Sequence, residues 1–292
     1  MNPTVKAAFW MTGAIASFSS MAVAGRAVIE TIDTFETMMY RSLIGFVIVA
    51  AVLTLKGSWA QVTRRSMGTH LIRNSAHFTG QNLWFFAVTA APLAQVFALE
   101  FTTPLWIIVL APMILGERLT PVRALAAMIG FAGILIVARP SPDSLTPGIL
   151  TAAGSAVFFA LTIMFTRKLT RTESIACILF WLTAMQSVMG VLAAGYDGDI
   201  ALPDAQTAPW LVLIACAGLL AHFCYTNALA VAPATVVAPF DFARLPTIAI
   251  VGMLFYGETI DIWVAIGGAV IFGGVYLNIL AEIRRNRVAT GP

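Results

Sequence analysis

Asp241 and Arg244 stand three residues apart inside an otherwise apolar run, so on a helix they share one face. Opposite charges in apolar surroundings can do one of two things. They grip the two ends of a dipolar solute, or they neutralise each other and brace the helix. Glu100 and Arg41 are two further charges within apolar runs. Ionisable groups so placed in a bilayer cost about 3 kcal/mol or more on insertion scales, which makes them functional candidates. Glu100 and Arg41 are expected to pair with each other, as a gate or as a static bridge. A second group is polar and aromatic. His77, Gln81, Trp84 and Phe85 recur at helical spacing, and His222 and Tyr225 repeat the order of a polar group followed by an aromatic one. Polar groups converging between apolar walls are what a small-molecule site needs. Phe97, Phe101, Phe159, Trp181 and Phe240 are candidate walls.

None of these residues forms a catalytic constellation. His77 and His222 have no nucleophile or metal partner nearby in sequence, and no Walker-type Gly-rich loop is present. Enzymatic activity is therefore not expected. Cys177, Cys216 and Cys224 lie in apolar runs and read as small buried hydrophobes. Their spacing implies neither zinc nor a disulfide framework, so no metal and no cofactor are expected. The basic segments are short, which argues against a nucleic-acid partner.

The elements that must position these residues follow from composition. Of 292 residues, 59% are hydrophobic and only 11% charged, against about 25% charged in a soluble domain. A membrane-crossing helix needs about 20 mostly apolar residues. Ten such stretches fall near 5–28, 35–55, 70–90, 92–115, 121–139, 146–168, 174–195, 209–230, 232–256 and 260–281. They use nearly the whole chain. The runs are too long and too unalternating for barrel strands. Lys6 and the Ala22-Val23-Ala24 triplet resemble a signal peptide, but the first stretch is longer than a usual signal core and has a counterpart later in the chain. It is expected to be retained.

Orientation follows from Lys and Arg. With the N-terminus in the cytoplasm, the cytoplasmic segments hold Lys6, Lys56, Arg64, Arg65, Arg73, Arg118, Arg123, Arg167, Lys168, Arg171, Arg284, Arg285 and Arg287. The external ones hold only Arg26 and Arg139. Both termini are expected to be cytoplasmic, in a bacterial inner membrane.

A shift of 141 residues superposes the two halves. It carries Ala91-Pro92 onto Ala232-Pro233, Glu100 onto Asp241, Phe101 onto Phe242 and Gly116-Glu117 onto Gly257-Glu258. The expected organisation is two five-helix repeats, 1–140 and 141–292. Five is odd, so the second repeat must cross the membrane in the opposite sense. Inverted repeats recur in secondary transporters, where two inverted copies open alternately to either side. Ala265, Ala269 and Gly273 form a ridge of small residues on span ten, expected to pack against another helix, either within the chain or in another subunit.

The Gly-Glu-Arg-Leu-Thr run at 116–120, the second Gly-Glu at Glu258 and the Arg41-Ser42-Leu43-Ile44 run resemble the ten-helix, EamA-type metabolite exporters of the drug/metabolite transporter superfamily. After Glu258 the second copy departs from the pattern, reading Thr-Ile-Asp. The resemblance implies transport, and export of amino acids and related metabolites. The Asp241–Arg244 pair and the aromatic set direct that expectation toward aromatic or hydrophobic amino acids. Proton-coupled export of lipophilic cations is the alternative. Glu117 and Glu258 are expected to cap turns rather than touch substrate.

Overall fold

The structure is a computed structural model describing residues 2–28, 31–90, 96, 99–117, 120–138, 146–196, 198–245, 247, 250, 253–254 and 262–289. Among the described residues it is all helical: α1 (Pro3–Val28), α2 (Thr34–Leu55), α3 (Met67–Ala90), α4 (Thr103–Leu115), α5 (Pro121–Ala138), α6 (Pro147–Leu169), α7 (Ile175–Ala194), α8 (Ala208–Val231), α9 (Ala234–Val237) and α10 (Ile262–Ala289). Five helices are long and apolar enough to cross a bilayer on their own: α1, α2, α6, α7 and α8. Large apolar side chains such as Phe9, Val47, Met113, Leu192 and Tyr276 are exposed on the outside. An apolar exterior of this extent fits a lipid solvent rather than water.

The 141-residue repeat is visible in the helix boundaries. The starts of α2, α3 and α5, at Thr34, Met67 and Pro121, recur at Ile175, Ala208 and Ile262. The caps recur as well. Asp33 accepts from the Glu36 backbone N–H at 2.8 Å to begin α2, and Ser174 accepts from the Cys177 N–H at 3.1 Å to begin α7. Both satisfy orphan donors of a first helical turn.

Packing carries the same symmetry. The most extensive contacts are α1 with α8, α3 with α6, α5 with α10 and α2 with α7. Exchange of the halves turns the α1–α8 pair into the α6–α3 pair and maps the other two pairs onto themselves. Each of these contacts joins one repeat to the other, so the repeats interlock as inverted copies.

Two local features stand out. The ridge of Ala265, Ala269 and Gly273 is exposed, and nothing lies within 4 Å of where a Cβ on Gly273 would sit. The buried face of α10 is offset from it, at Gly267, Ile271 and Gly274. A close approach of α5 to α10 selects that face. A Cβ on Gly133 would meet the Ile271 side chain at 2.7 Å and the Gly267 carbonyl oxygen at 2.8 Å. Gly133→Ala is expected to push the helices apart and destabilise the protein by about 1–3 kcal/mol, as overpacking does. Thermal unfolding in detergent would register the change, and an unaltered midpoint would count against this contact.

Spans four and nine are also not continuous. Glu100 is helical, Phe101 and Thr102 form a turn, and α4 begins only at Thr103. α9 gives way to a 3-10 turn, Ala238–Ala243, that contains Asp241. Irregular backbone in a membrane is tolerated where it is buried in protein or lines a cavity. Here the irregular segments contain Asp241 and adjoin Glu100 and Arg244.

Candidate functional site

A cavity with about 140 Å3 of accessible space lies between α1, α3, α6, α8 and the two interrupted segments. Its lining is arranged in symmetry-related pairs. Phe18 and Phe159, Gln81 and His222, Trp84 and Tyr225, Phe85 and Thr226, Glu100 and Asp241, and Thr103 and Arg244 all line it, and each pair is separated by 141 residues. The cavity therefore sits on the pseudo-two-fold axis, where inverted repeats place their sites.

At one end stands a charge cluster. Arg244 bonds Glu100 through Nη2 and lies 3.5 Å from the Asp241 carboxylate. Its guanidinium is 5.4 Å from the Phe18 ring centroid and 5.0 Å from that of Phe101, within cation–π range. Trp84 donates its indole N–H to the other Glu100 oxygen at 2.7 Å. The cluster is thus a carboxylate–guanidinium–carboxylate triad spanning both repeats. It is not an open clamp for a zwitterion, because Glu100 occupies the face of Arg244 that such a ligand's carboxylate would need.

The expected Arg41–Glu100 pair does not form. Arg41 is buried on α2, 4.0 Å from the Met38 sulfur, and lines a separate smaller cavity with Ser42, Gln186 and His222. Arg244 wins Glu100 because the break after Glu100 and the 3-10 turn at Asp241 bring both segments to the same point.

In the middle of the cavity the His77 and His222 rings meet edge to face at 4.8 Å. Several polar atoms on the lining have no hydrogen-bond partner: both His77 ring nitrogens, Gln81 Oε1, Tyr225 Oη, Asp241 Oδ1 and Arg244 Nε. At the opposite end Arg73 is 2% exposed. It donates to Thr166 Oγ1 at 3.1 Å and to Asn74 Oδ1 at 2.7 Å, and among the described residues no acid pairs with it. Arg73 was counted above with the cytoplasmic arginines. It lies instead inside the helix bundle, about two turns into α3.

Of the expected site residues, His77, Gln81, Trp84, Phe85, Glu100, Phe159, His222, Tyr225, Asp241 and Arg244 line the cavity. Phe101 sits behind Arg244 and Phe240 in a separate apolar core. Trp181 is elsewhere, donating to the Thr63 carbonyl at 2.8 Å. Phe97 and Glu258 lie outside the described residues. Sequence reasoning missed Phe18, Arg73, Thr162 and Thr166 among the lining. Phe18 was within reach, since the 141-residue shift places it on Phe159.

Glu117 caps a helix, but not at its own turn. Its carboxylate accepts from the backbone N–H groups of Ala234 at 3.0 Å and Thr235 at 3.2 Å, and from the Thr235 hydroxyl at 2.9 Å. It thereby holds the start of α9 against the end of α4. Glu117→Ala is expected to cost about 1–3 kcal/mol through orphaned donors. Thermal unfolding should fall while substrate preference stays fixed, and altered preference would point to substrate contact instead.

The sequence pattern of the EamA-like transporter family matches residues 5–139 and again 146–280. The riboflavin transporter of Brucella anthropi is 31% identical over 240 residues, covering 80% of this chain and 84% of that protein. The riboflavin transporter of Vibrio cholerae serotype O1 is 28% identical, covering 97% and 96%. The S-adenosylmethionine uptake transporter of Rickettsia prowazekii is 24% identical, covering 86% and 84%. A solved crystal structure superposes with a TM-score of 0.81 at 19% identity, over 95% of this chain and 98% of that one. That likeness concerns the fold alone. These relatives are named for riboflavin and S-adenosylmethionine, and uptake is named for the Rickettsia protein. This overturns the expectation of amino-acid export, and multidrug export is not favoured by it either. Two matches to one family pattern, one per five-helix repeat, make the chain a multi-pass membrane transporter of the EamA-like family.

Proposed function

We propose that this transporter takes up a planar heteroaromatic solute of the vitamin or cofactor class, riboflavin being the first to test. One observation carries the reading: polar atoms without partners lie between aromatic walls. A buried polar group left unsatisfied costs about 1–3 kcal/mol. His77, Gln81, Tyr225 and Asp241 each carry at least one such atom. A flavin offers flat faces to Trp84, Phe85 and Phe159, ring-edge donors and acceptors to these polar groups, and tail hydroxyls to the rest.

The charge distribution favours an uncharged flavin over the sulfonium of S-adenosylmethionine. Glu100 and Asp241 already face Arg244, and Arg73 adds positive charge at the far end. The distribution of Lys and Arg supports an inner-membrane location with both termini in the cytoplasm.

Purified protein in liposomes should accumulate labelled riboflavin saturably. Unlabelled flavin should compete, and amino acids should not. S-adenosylmethionine run in parallel distinguishes the two relatives' substrates. Failure to move riboflavin, with S-adenosylmethionine moved instead, would reassign the substrate. Failure to move either would sink the proposal.

A further inference from the structure

A second cluster lies apart from the cavity, where α3 and α7 begin. His70 sits on the first turn of α3, Cys177 on the first turn of α7, and Glu173 in the short segment before α7. His70 and Cys177 are fully buried and Glu173 is 9% exposed. One ligand atom from each lies within 4.8 Å of the other two. His70 Nε2 faces Cys177 Sγ at 4.0 Å. Two of the polar atoms here, His70 Nδ1 and Glu173 Oε1, have no hydrogen-bond partner. Buried polar atoms without partners are rare, and Glu173 Oε1, beside His70 Nε2 and Cys177 Sγ, points to a group that satisfies it.

The surroundings hold the donors in place. Glu173 Oε2 accepts from the Thr63 hydroxyl at 2.6 Å, leaving Oε1 free. The Thr63 carbonyl accepts from the Trp181 indole at 2.8 Å and from the Cys177 thiol at 3.6 Å. A carboxylate whose other oxygen is fixed by a neighbour resembles the outer-shell support of metal ligands.

We propose that His70, Glu173 and Cys177 bind a divalent transition-metal ion, zinc by ligand type, through one imidazole, one carboxylate and one thiolate. Zinc bonds of about 2.0–2.3 Å at tetrahedral angles place nitrogen and sulfur ligands about 3.6 Å apart. The observed 4.0 Å is close to this, and rotation about side-chain bonds closes the remainder. A thiolate and an imidazole select zinc or cobalt over magnesium and calcium. The cytoplasmic location inferred above keeps the thiol reduced and free to bind. On binding, the cation replaces the Cys177 thiol proton, which leaves to solvent, so affinity rises with pH. The site joins α3 of the first repeat to α7 of the second, so a bound ion ties the two repeats together at this end. No local spacing announces it, because His70 is remote in sequence from Glu173 and Cys177.

Cobalt is the probe. Cobalt chloride titrated into the full-length protein in detergent should produce a near-ultraviolet thiolate-to-cobalt charge-transfer band that saturates at one equivalent. Cys177→Ser should reduce the band to background, and His70→Ala should weaken apparent affinity at least about tenfold, which corresponds to one lost ligand contact. Absence of the band in wild-type protein, or its persistence in Cys177→Ser, would overturn the proposal. If the variants do not fold, the wild-type protein still decides.

Discussion

Arg244→Met should abolish uptake and lower thermal stability together. The guanidinium is the only positive charge between Glu100 and Asp241 among the described residues. Its removal leaves two buried carboxylates facing each other across the cavity. Breaking a buried ion pair by deleting one partner costs about 3–5 kcal/mol, because the remaining charge is uncompensated. Two carboxylates are left here, so the upper part of that range is expected. Glu100 keeps its bond from the Trp84 indole, which limits the loss but does not neutralise the charge. Unfolding in detergent should register the destabilisation, and liposome uptake should fall to background.

A second variant separates folding from function. Arg244→Met combined with Glu100→Gln and Asp241→Asn removes the whole charge set, so no ion is left buried. Stability should return toward that of the wild type, because replacing all members of a buried ionic cluster is often near neutral. Uptake should not return, since the triad joins the interrupted segment of one repeat to that of the other. Wild-type transport by the triple variant would show the triad to be a brace alone. The milder Glu100→Gln tests the same point from the other side. Arg244 then keeps Asp241, and the stability loss should be about 1–3 kcal/mol.

The parts of this architecture that depend on local pattern were legible in the sequence, and those that depend on tertiary convergence were not. Apolar runs gave the helices because a bilayer permits little else. The repeat was legible because its start residues and caps recur at fixed separation, as Asp33 and Ser174 do. Polarity and helical spacing picked out ten of the eighteen lining residues, and Phe18 would have been found by applying the shift to Phe159. The Glu100–Arg244 pair was not legible. It depends on a turn at Phe101–Thr102 and a 3-10 turn at Asp241, and neither has a strong local signature in an apolar run. Helical continuity assumed from hydropathy placed Arg41 nearer to Glu100 than the fold does. The Ala265–Gly273 ridge lies outside the contacts within the chain for a related reason. Small residues recur on more than one face of α10, and contact with Gly133 on α5 decides which face is buried.

Arg73 was misread most consequentially, and it gives the second large expectation. Arg73→Met should make the ligand-free protein more stable while crippling transport. Burying a cation without an acid partner costs several kcal/mol even after relaxation. Met fills a similar volume without that cost. The replacement removes two hydrogen bonds. Thr166 Oγ1 still donates to the Thr162 carbonyl at 2.7 Å, so only Asn74 Oδ1 is orphaned, at about 1–3 kcal/mol. The desolvation relief is the larger quantity, so the unfolding temperature should rise. Transport should fall at least about tenfold, because a guanidinium at the end of the cavity can donate to carbonyl or hydroxyl oxygens of a bound flavin and a thioether cannot. Arg73→Lys should keep the charge yet recover little activity, since a single ammonium does not reproduce the planar donor fork. A less stable Arg73→Met protein with normal uptake would reverse the assignment and make Arg73 a structural strut between α3 and α6. A more stable, inactive protein would mark it as a residue whose place in the membrane is explained by the substrate rather than by the fold.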